Sequence, residues 1–521
     1  MMSRPNFLFF MTDQQRRDWL GCYGHPVVKT PHIDAIADKG TRFDRFFVAS
    51  PICMPNRASF MTGRMPSVHG LRYNGCFLPL GANTFVDVLR AGGYETAAFG
   101  KCHLQPMVNL PPVQEREENS NLLVQEAWKA TNDAIYQEET DPESCEGGTH
   151  IDIPYYGFDQ VEVTTLHGDR LGGDYQHWFR SNVPDWENYY DPVNQLSHNY
   201  TCLQAYRTPI PEHLYPTSWI ADRAITFLDK QGQSDNPFFA FVSFPDPHHP
   251  FNPPGKYWGM YSPDEFDVDL PFSAHKNPTP PMQWLQNNYH AGGGQLTRQT
   301  VSMVDDRSVR EIKALTSGMV SCIDDAVGRV IEALKANGQY DNTVICFNSD
   351  HGDYLGDFNF VLKGLMPFKS ITQIPMIWSD PESREAQVTE QLGSTIDLSA
   401  TILERAGLLP YNGIQGKNLL PTIFENQAVR NELLIEFNDG ASKLGFKQPA
   451  RVRSLVDSRW RYTIYANQSW GELYDLFNDP DETQNLWDDS ESINIRHQLS
   501  ERMNHQLTNL MDESPLSTRL A

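Results

Sequence analysis

Cys53 stands in an unusual setting. In the stretch SPICMPNRASFMTGR, residues 50–64, the thiol is followed two residues on by Pro55 and four on by Arg57. A Ser/Thr/Gly run of the kind that opens a helix comes next. Elsewhere, Asp13 and the Asp350-His351 pair supply oxygen and nitrogen donors at the ends of two predicted strands. Gathered together they would make a divalent-metal site with positions left open for a substrate oxygen. Lys101 and His103 are two residues apart, so on an extended segment they point to one face. His248 lies in PDPHHPF, a proline-braced loop after a strand, and Lys363 lies in VLKG beyond the Asp350 loop. Two lysines, two histidines and Arg57 around a metal form a pocket for a tetrahedral oxyanion, able to neutralise charge that shifts during transfer. Singly, each has a structural explanation: Asp13 as a helix cap, Asp350-His351-Gly352 as a loop. Combined with the Cys53 stretch, the chemical explanation is preferred.

The elements that must bring these residues together follow a rhythm. NFLFFMTD is a buried strand ending in an acid. A helix, a Gly or Asn stop and a β-branched or aromatic run recur in NTFVDVLRAGGYETAAFGKCH, in PTSWIADRAITFLDK with NPFFAFVSFPDPHHP, and in LTSGMVSCIDDAVGRVIEALKANGQYDN with TVICFNSDHGD. This alternation predicts an α/β fold with a large, mostly parallel sheet sandwiched by helices. Ligands gather at the carboxyl ends of such strands. Asp13, Lys101, His103, His248, Asp350 and His351 all fall at or just after those ends, which predicts one shared site. Residues about 109–215 break the rhythm with acidic and aromatic clusters. They are expected to form an insertion over the site, either a substrate lid or a surface excursion with its own small core. RSLVDSRWRYTIY and ELYDLFNDPDETQNL predict antiparallel strands, a turn and a helix start. The expected division is a catalytic domain over 1–425 and a smaller C-terminal α+β subdomain over 426–521.

The bulk properties narrow the function. The 521 residues carry 42 Lys and Arg against 66 Asp and Glu, a net charge of −24. Nucleic acid, which demands a basic footprint, is therefore not an expected partner. Eight scattered cysteines form no CxxC pair, so neither a zinc knuckle nor a disulfide scaffold is indicated. The N-terminal apolar run is too short for a secretory h-region, and no stretch is long enough for a membrane helix. A cytoplasmic chain with reduced thiols, without a membrane partner, is the expectation.

These residues resemble a known family. Cys53-Met54-Pro55-Asn56-Arg57 followed by Ala58-Ser59-Phe60-Met61-Thr62-Gly63-Arg64 resembles the C-x-P-x-R signature of the type I sulfatases, of the alkaline phosphatase superfamily. GYETAAFGKCHL resembles the family's G-K-W-H-L segment, with Cys102 in place of Trp. SDHGDYLGD resembles its second metal loop, and ELYDLFNDPDETQNL its C-terminal segment. The resemblance implies an alkaline-phosphatase-like fold and a sulfatase. In this family the motif cysteine is oxidised to Cα-formylglycine by a maturation enzyme, and one hydroxyl of its hydrate attacks sulfur while the other permits ejection of sulfate. It implies that Cys53 is nucleophile and metal ligand, that Arg57 holds the hydrate, and that Asp13, Gln14, Asp350 and His351 surround one divalent ion. It further implies that Lys101 grips a sulfate oxygen, that His103 is the base of the elimination step, that His248 and Lys363 assist the leaving oxygen, and that Asn74 lines the sulfate pocket.

The departures from the pattern set the alternatives. Asp13-Gln14 stands where many members have Asp-Asp, and His351 where many have Asn. Members with two acids and an Asn typically hold calcium; a site with one carboxylate fewer and an imidazole more is softer and admits manganese. The same Asp-Gln and Asp-His pattern occurs in the related phosphonate monoester hydrolases and phosphodiesterases, which lack the Lys-x-His pair. Retention of Lys101 and His103 favours a sulfate ester, of a carbohydrate or of a small aryl or alkyl alcohol. A phosphonate or phosphodiester hydrolase is the alternative, and a catalytically silent binding protein on the same scaffold the third.

Overall fold

The computed structural model describes residues 4–108, 139 and 151–519. Its centre is a nine-stranded sheet. Across it run Gln387–Thr389, Thr41–Phe43, Met376–Ser379, Thr343–Ser349, Asn6–Thr12, Phe238–Ser243, Glu95–Gly100, Gln160–Thr165 and Gly172–Gly173. The five strands from Thr343–Ser349 to Gln160–Thr165 are mutually parallel. Met376–Ser379 and Gly172–Gly173 pair antiparallel to them.

The sequence explains the burial. NFLFFMT, FFAFVS and TVICFNS are near-continuous apolar runs, as strands covered on both faces require. Alternate residues feed two cores. Leu8, Phe10, Phe99, Val242 and Phe347 pack with the helices Pro216–Gln231 and Asp306–Ala336 on one face. Phe7, Phe9, Ala98, Phe241 and Val344 pack with Cys53–Thr62, Phe85–Ala91 and Asp397–Arg405 on the other. Register then aligns the carboxyl ends: Thr12 pairs with Ser349, Met11 with Ser243, and Ser243 with Gly100. The residue after each strand end therefore emerges beside its neighbours. Gly100 has a φ of 97°, and a Cβ there would lie 2.0 Å from the Ser243 carbonyl oxygen, so only glycine ends this strand and starts the Lys101 loop.

Residues 109–138 and 140–150 of the expected insertion lie outside the described residues. The remainder does not stand apart from the sheet. Gln160–Thr165 extends it, and the aromatic run over 174–192 forms the helices Asp174–Asn182 and Trp186–Tyr190. Tyr175 and Phe179 are buried in the core, with Tyr175 against Trp219 at 5.8 Å. Those two rings fill the interior and offer no stacking surface to a ligand.

At the C-terminal end, Glu432–Asn438, Arg451–Asp457, Trp460–Tyr465 and Gly471–Asp475 form an antiparallel four-stranded sheet. One face packs on Leu499 and Met503 of the helix Ile493–Asn509. The other supplies Phe437, Val452 and Tyr474 to a cluster with Tyr354, Phe358 and Phe368, beneath the loop that follows Asp350. No helix among the described residues is long and apolar enough to cross a membrane. The seven described cysteines are free thiols.

Candidate active site

Cys53 is the first residue of the helix Cys53–Thr62, all ten of whose residues are buried. Ile52 precedes it in extended conformation and caps nothing. The orphan amide of Met54 is instead satisfied from outside, by Asn74 Oδ1 at 3.2 Å. Asn74 thus holds the helix mouth from which Cys53 projects. At the other end Gly63 adopts φ 61° and closes the helix onto the Ser59 carbonyl.

Asp13, Cys53, Asp350 and His351 each offer a donor atom, and these four atoms all lie within 4.8 Å of one another. His351 Nε2 is 3.1 Å from Cys53 Sγ and 3.4 Å from Asp13 Oδ1. Its Nδ1 donates to the Gly352 carbonyl at 2.8 Å, which leaves Nε2 bare and aimed at the cluster. Arg57 Nε donates to Asp350 Oδ2 at 2.7 Å, and Nη1 donates to the Lys101 carbonyl and Ser243 Oγ. Lys363 Nζ donates to Cys53 Sγ at 2.9 Å and to His351 Nε2 at 3.1 Å. Lys101 Nζ is bonded to Asp13 Oδ2. Gln14 donates its backbone amide to Asp350 Oδ1 and its Nε2 to Asp353 at 2.5 Å, while its Oε1 is buried without a partner.

This arrangement is electrostatically lopsided. Burial alone would push the Asp13 carboxyl up, but the ammonium of Lys101, with that of Lys363, holds it well below its ordinary value. Burial and Asp13 push the Cys53 thiol up, and the ammonium groups of Lys363 and Lys101 override them and lower it. Lys363 is raised despite burial, by Cys53, Asp13 and Asp350. His103 and His248 are both lowered, first by burial and then by neighbouring cations and rings, so both are neutral. His248 Nδ1 donates to the His249 carbonyl at 2.7 Å, and its Nε2 is buried and unpartnered.

Lys101 and His103 do not share the face of an extended segment. Gly100 and His103 both take positive φ, and the chain turns between them. The amides of His103, Leu104 and Gln105 converge on the buried carboxylate of Glu139, at 2.6, 2.8 and 3.3 Å. Three further residues belong here that the motifs did not name. His167, just past Gln160–Thr165, accepts from Lys101 Nζ at 2.7 Å and stacks on His248 with ring centroids 3.6 Å apart. His249 stacks on the far side of His248 at 3.9 Å and lies 3.3 Å from Gln14 Nε2. Glu139 anchors the Lys101 loop. Of these, only His249 carried a signal in the sequence, as the second histidine of PDPHHPF.

A comparison with known proteins decides the family. The Sulfatase profile matches residues 5–408, and that of the N-sulphoglucosamine sulphohydrolase C-terminal region matches 356–509. The chain belongs to the sulfatase family. It is 26% identical over 491 residues to an arylsulfatase of Clostridium perfringens, covering 93% of this chain and 90% of that protein. It is 28% identical over 517 residues to the uncharacterized sulfatase YidJ of Escherichia coli, covering 98% and 88%. Among solved structures, the phosphonate monoester hydrolase of Agrobacterium radiobacter superposes with a TM-score of 0.77 at 24% identity, covering 99% of this chain and 100% of that one. The sulfatase fold, of the alkaline phosphatase superfamily, is thus established, and with it a sulfuric ester hydrolase.

Proposed function

We propose that this sulfatase hydrolyses the sulfate ester of a carbohydrate or of a small aryl or alkyl alcohol at Cys53, after that residue has been oxidised to formylglycine. One observation carries the proposal: three buried cations gather with the two carboxylates Asp13 and Asp350 beside Cys53 at a helix mouth, Arg57 bonded to Asp350, Lys101 to Asp13 and Lys363 to the Cys53 thiol. Such an excess is costly unless an anion completes it. Formylglycine supplies a hydrated aldehyde, a nucleophile that also provides a route for releasing sulfate.

The donor set fits a divalent ion. Asp13, Asp350, His351 and the residue at 53 would hold it, and the unpartnered Gln14 Oε1 is a further oxygen within the same loop. Bound there, a calcium or manganese ion supplies fixed positive charge for the sulfate oxygens. The remaining roles fall to this chain's own groups. Lys101 grips a sulfate oxygen. Lys363, raised and charged, is the donor for the leaving oxygen. His248 presents a bare Nε2, so it must first take up a proton to assist that oxygen. His103 is neutral, as the base for sulfate release must be. Arg57 holds the residue at 53 and offsets its charge. The separate domains 1–425 and 426–521 are proposed with it: the second packs under the metal loop without supplying any of these groups.

A second reading has its own support. Gln14 and His351 make the metal pocket less anionic than two acids and an amide would, and the fold of a phosphonate monoester hydrolase is a near match. Hydrolysis of a phosphonate monoester or phosphodiester at the same centre is therefore the alternative.

The test has two parts. The peptide FFVASPICMPNR, taken from protein made with its own maturation enzyme, should have the mass of an aldehyde rather than a thiol at position 53. Cys53→Ala should lower kcat by at least about 10⁴-fold, the scale on which an enzyme loses its nucleophile. Aryl sulfate should be turned over with higher kcat/KM than aryl phosphonate; the reverse order would establish the alternative. A silent protein would turn over neither.

A further inference from the structure

Three imidazoles stack beside Asp13. His248 lies between His167 and His249, at centroid separations of 3.6 and 3.9 Å. His248 and His249 come from the loop after Phe238–Ser243. His167 comes from two strands away, beyond Gln160–Thr165, and it is the most open member. Its side chain is 16% exposed, whereas those of Lys101 and Asp13 are fully buried.

What His167 does to Lys101 follows from donor arithmetic. A lysine ammonium carries three N–H donors on a flexible stem, and alone it is a swivelling point charge. Here one N–H is taken by Asp13 Oδ2 and a second by His167 Nε2 at 2.7 Å. Two fixed partners determine the direction of the third. Burial of Lys101 excludes solvent as a substitute partner. An ammonium can only donate, so this 2.7 Å contact makes His167 the neutral ring, accepting at Nε2. His167 Nε2 also lies 3.7 Å from Asp13 Oδ2, so ring and carboxylate share the ammonium between them. Without the ring, Lys101 would turn about Asp13 alone, on the same carboxylate that the metal needs.

We infer that His167 is a positioning residue for the hydrolysis, whose Nε2 aims the third N–H of Lys101 at a non-bridging oxygen of the bound ester. The inference rests on the oxyanion-gripping role proposed for Lys101, and not on whether the ester is a sulfate or a phosphonate.

The test is a double-substitution cycle, run on whichever of aryl sulfate and aryl phosphonate the wild type hydrolyses, with melting temperature as a control. His167→Phe keeps a ring against His248 but removes the acceptor. It should lower kcat/KM about 10–100-fold, the usual scale for a group that orients a ligand-holding residue, chiefly through a higher KM. His167→Gln, whose amide oxygen reaches the place of Nε2, should recover most of that loss. In a Lys101→Met background, His167→Phe should cost less than about threefold, because the group it orients is gone. Should phenylalanine unsettle the fold, His167→Ala takes its place in the same cycle. A Phe variant within threefold of wild type, or a loss as large in the Lys101→Met background as in the wild type, overturns the inference. Failure of the sulfatase proposal would appear separately, as wild-type preference for the phosphonate.

Discussion

Two buried arginines in this molecule sit in opposite company. Arg57, at the carboxyl edge of the parallel sheet, pairs with Asp350 in a pocket that also holds Lys101 and Lys363 against a single further carboxylate, Asp13. Arg461, in the C-terminal antiparallel sheet, is clamped between Glu472 and Glu482, and its guanidinium lies 4.6 Å over the ring of Tyr474. The first pocket has more cations than carboxylates, the second more carboxylates than cations. Their titrations follow. Asp13 is held well below the ordinary carboxylate range, whereas burial leaves Glu482 raised in spite of Arg461. Burial of charge is common to both, so it does not distinguish a reactive site from a structural clamp. The sign of the imbalance does: an excess of buried cations is completed by an anionic substrate, and a clamp closes on itself.

Removing one cation from each pocket should have opposite consequences for stability and activity. Arg461→Met leaves two buried carboxylates without their partner and should destabilise the protein by about 3–5 kcal/mol, the cost of half a buried ion pair. Its activity per folded molecule should be unchanged. Lys363→Met takes away a cation that is hydrogen-bonded to Cys53 and His351 rather than to a carboxylate. Denaturant unfolding should therefore shift by no more than about 1 kcal/mol. The same variant should lose about 10²–10³-fold in kcat, as removal of a preorganised charge stabiliser does. Equal destabilisation by the two substitutions would mean that the active-site cations are also structural and would end the distinction.

How far the sequence made this visible depended on the regularity of the elements. Asp13, Lys101, His248 and the Asp350-His351 pair were legible because each follows an apolar run that reads as a strand, and parallel strands in register must release their next residues side by side. Asn74 was legible only through the resemblance, and its bond to the Met54 amide gives it a capping role at the helix mouth. His167 was hidden. QVEVTT is short and half polar, and it lies in an acidic, aromatic segment that reads as an excursion. Its membership of the sheet is fixed by pairing with Glu95–Gly100, a long-range contact with no local signature. The turn between Lys101 and His103 was hidden for a related reason. Three backbone amides wrap the Glu139 carboxylate, and nothing in the local spacing announces a partner so far along the chain.

Glu482 is raised above the ordinary glutamate range first by burial, and the attractions of Arg461 and Lys369 do not bring it back. The folded protein therefore keeps a proton at this carboxyl that the unfolded chain releases. Stability from this group is complete below the unfolded value and is lost as pH rises through the raised one. Glu482→Gln has no such proton to lose. The melting temperature of the wild type should fall relative to that of Glu482→Gln as pH increases from the glutamate range, with a gap of a few degrees opening in favour of the variant. Asp13 predicts the opposite sign for the active site, where a depressed carboxyl contributes stability above its unfolded value and loses it in acid. Melting curves for wild type and Glu482→Gln that stay parallel across pH would mean that Arg461 fully satisfies its second carboxylate. The clamp would then be balanced, and charge excess would distinguish only the active site.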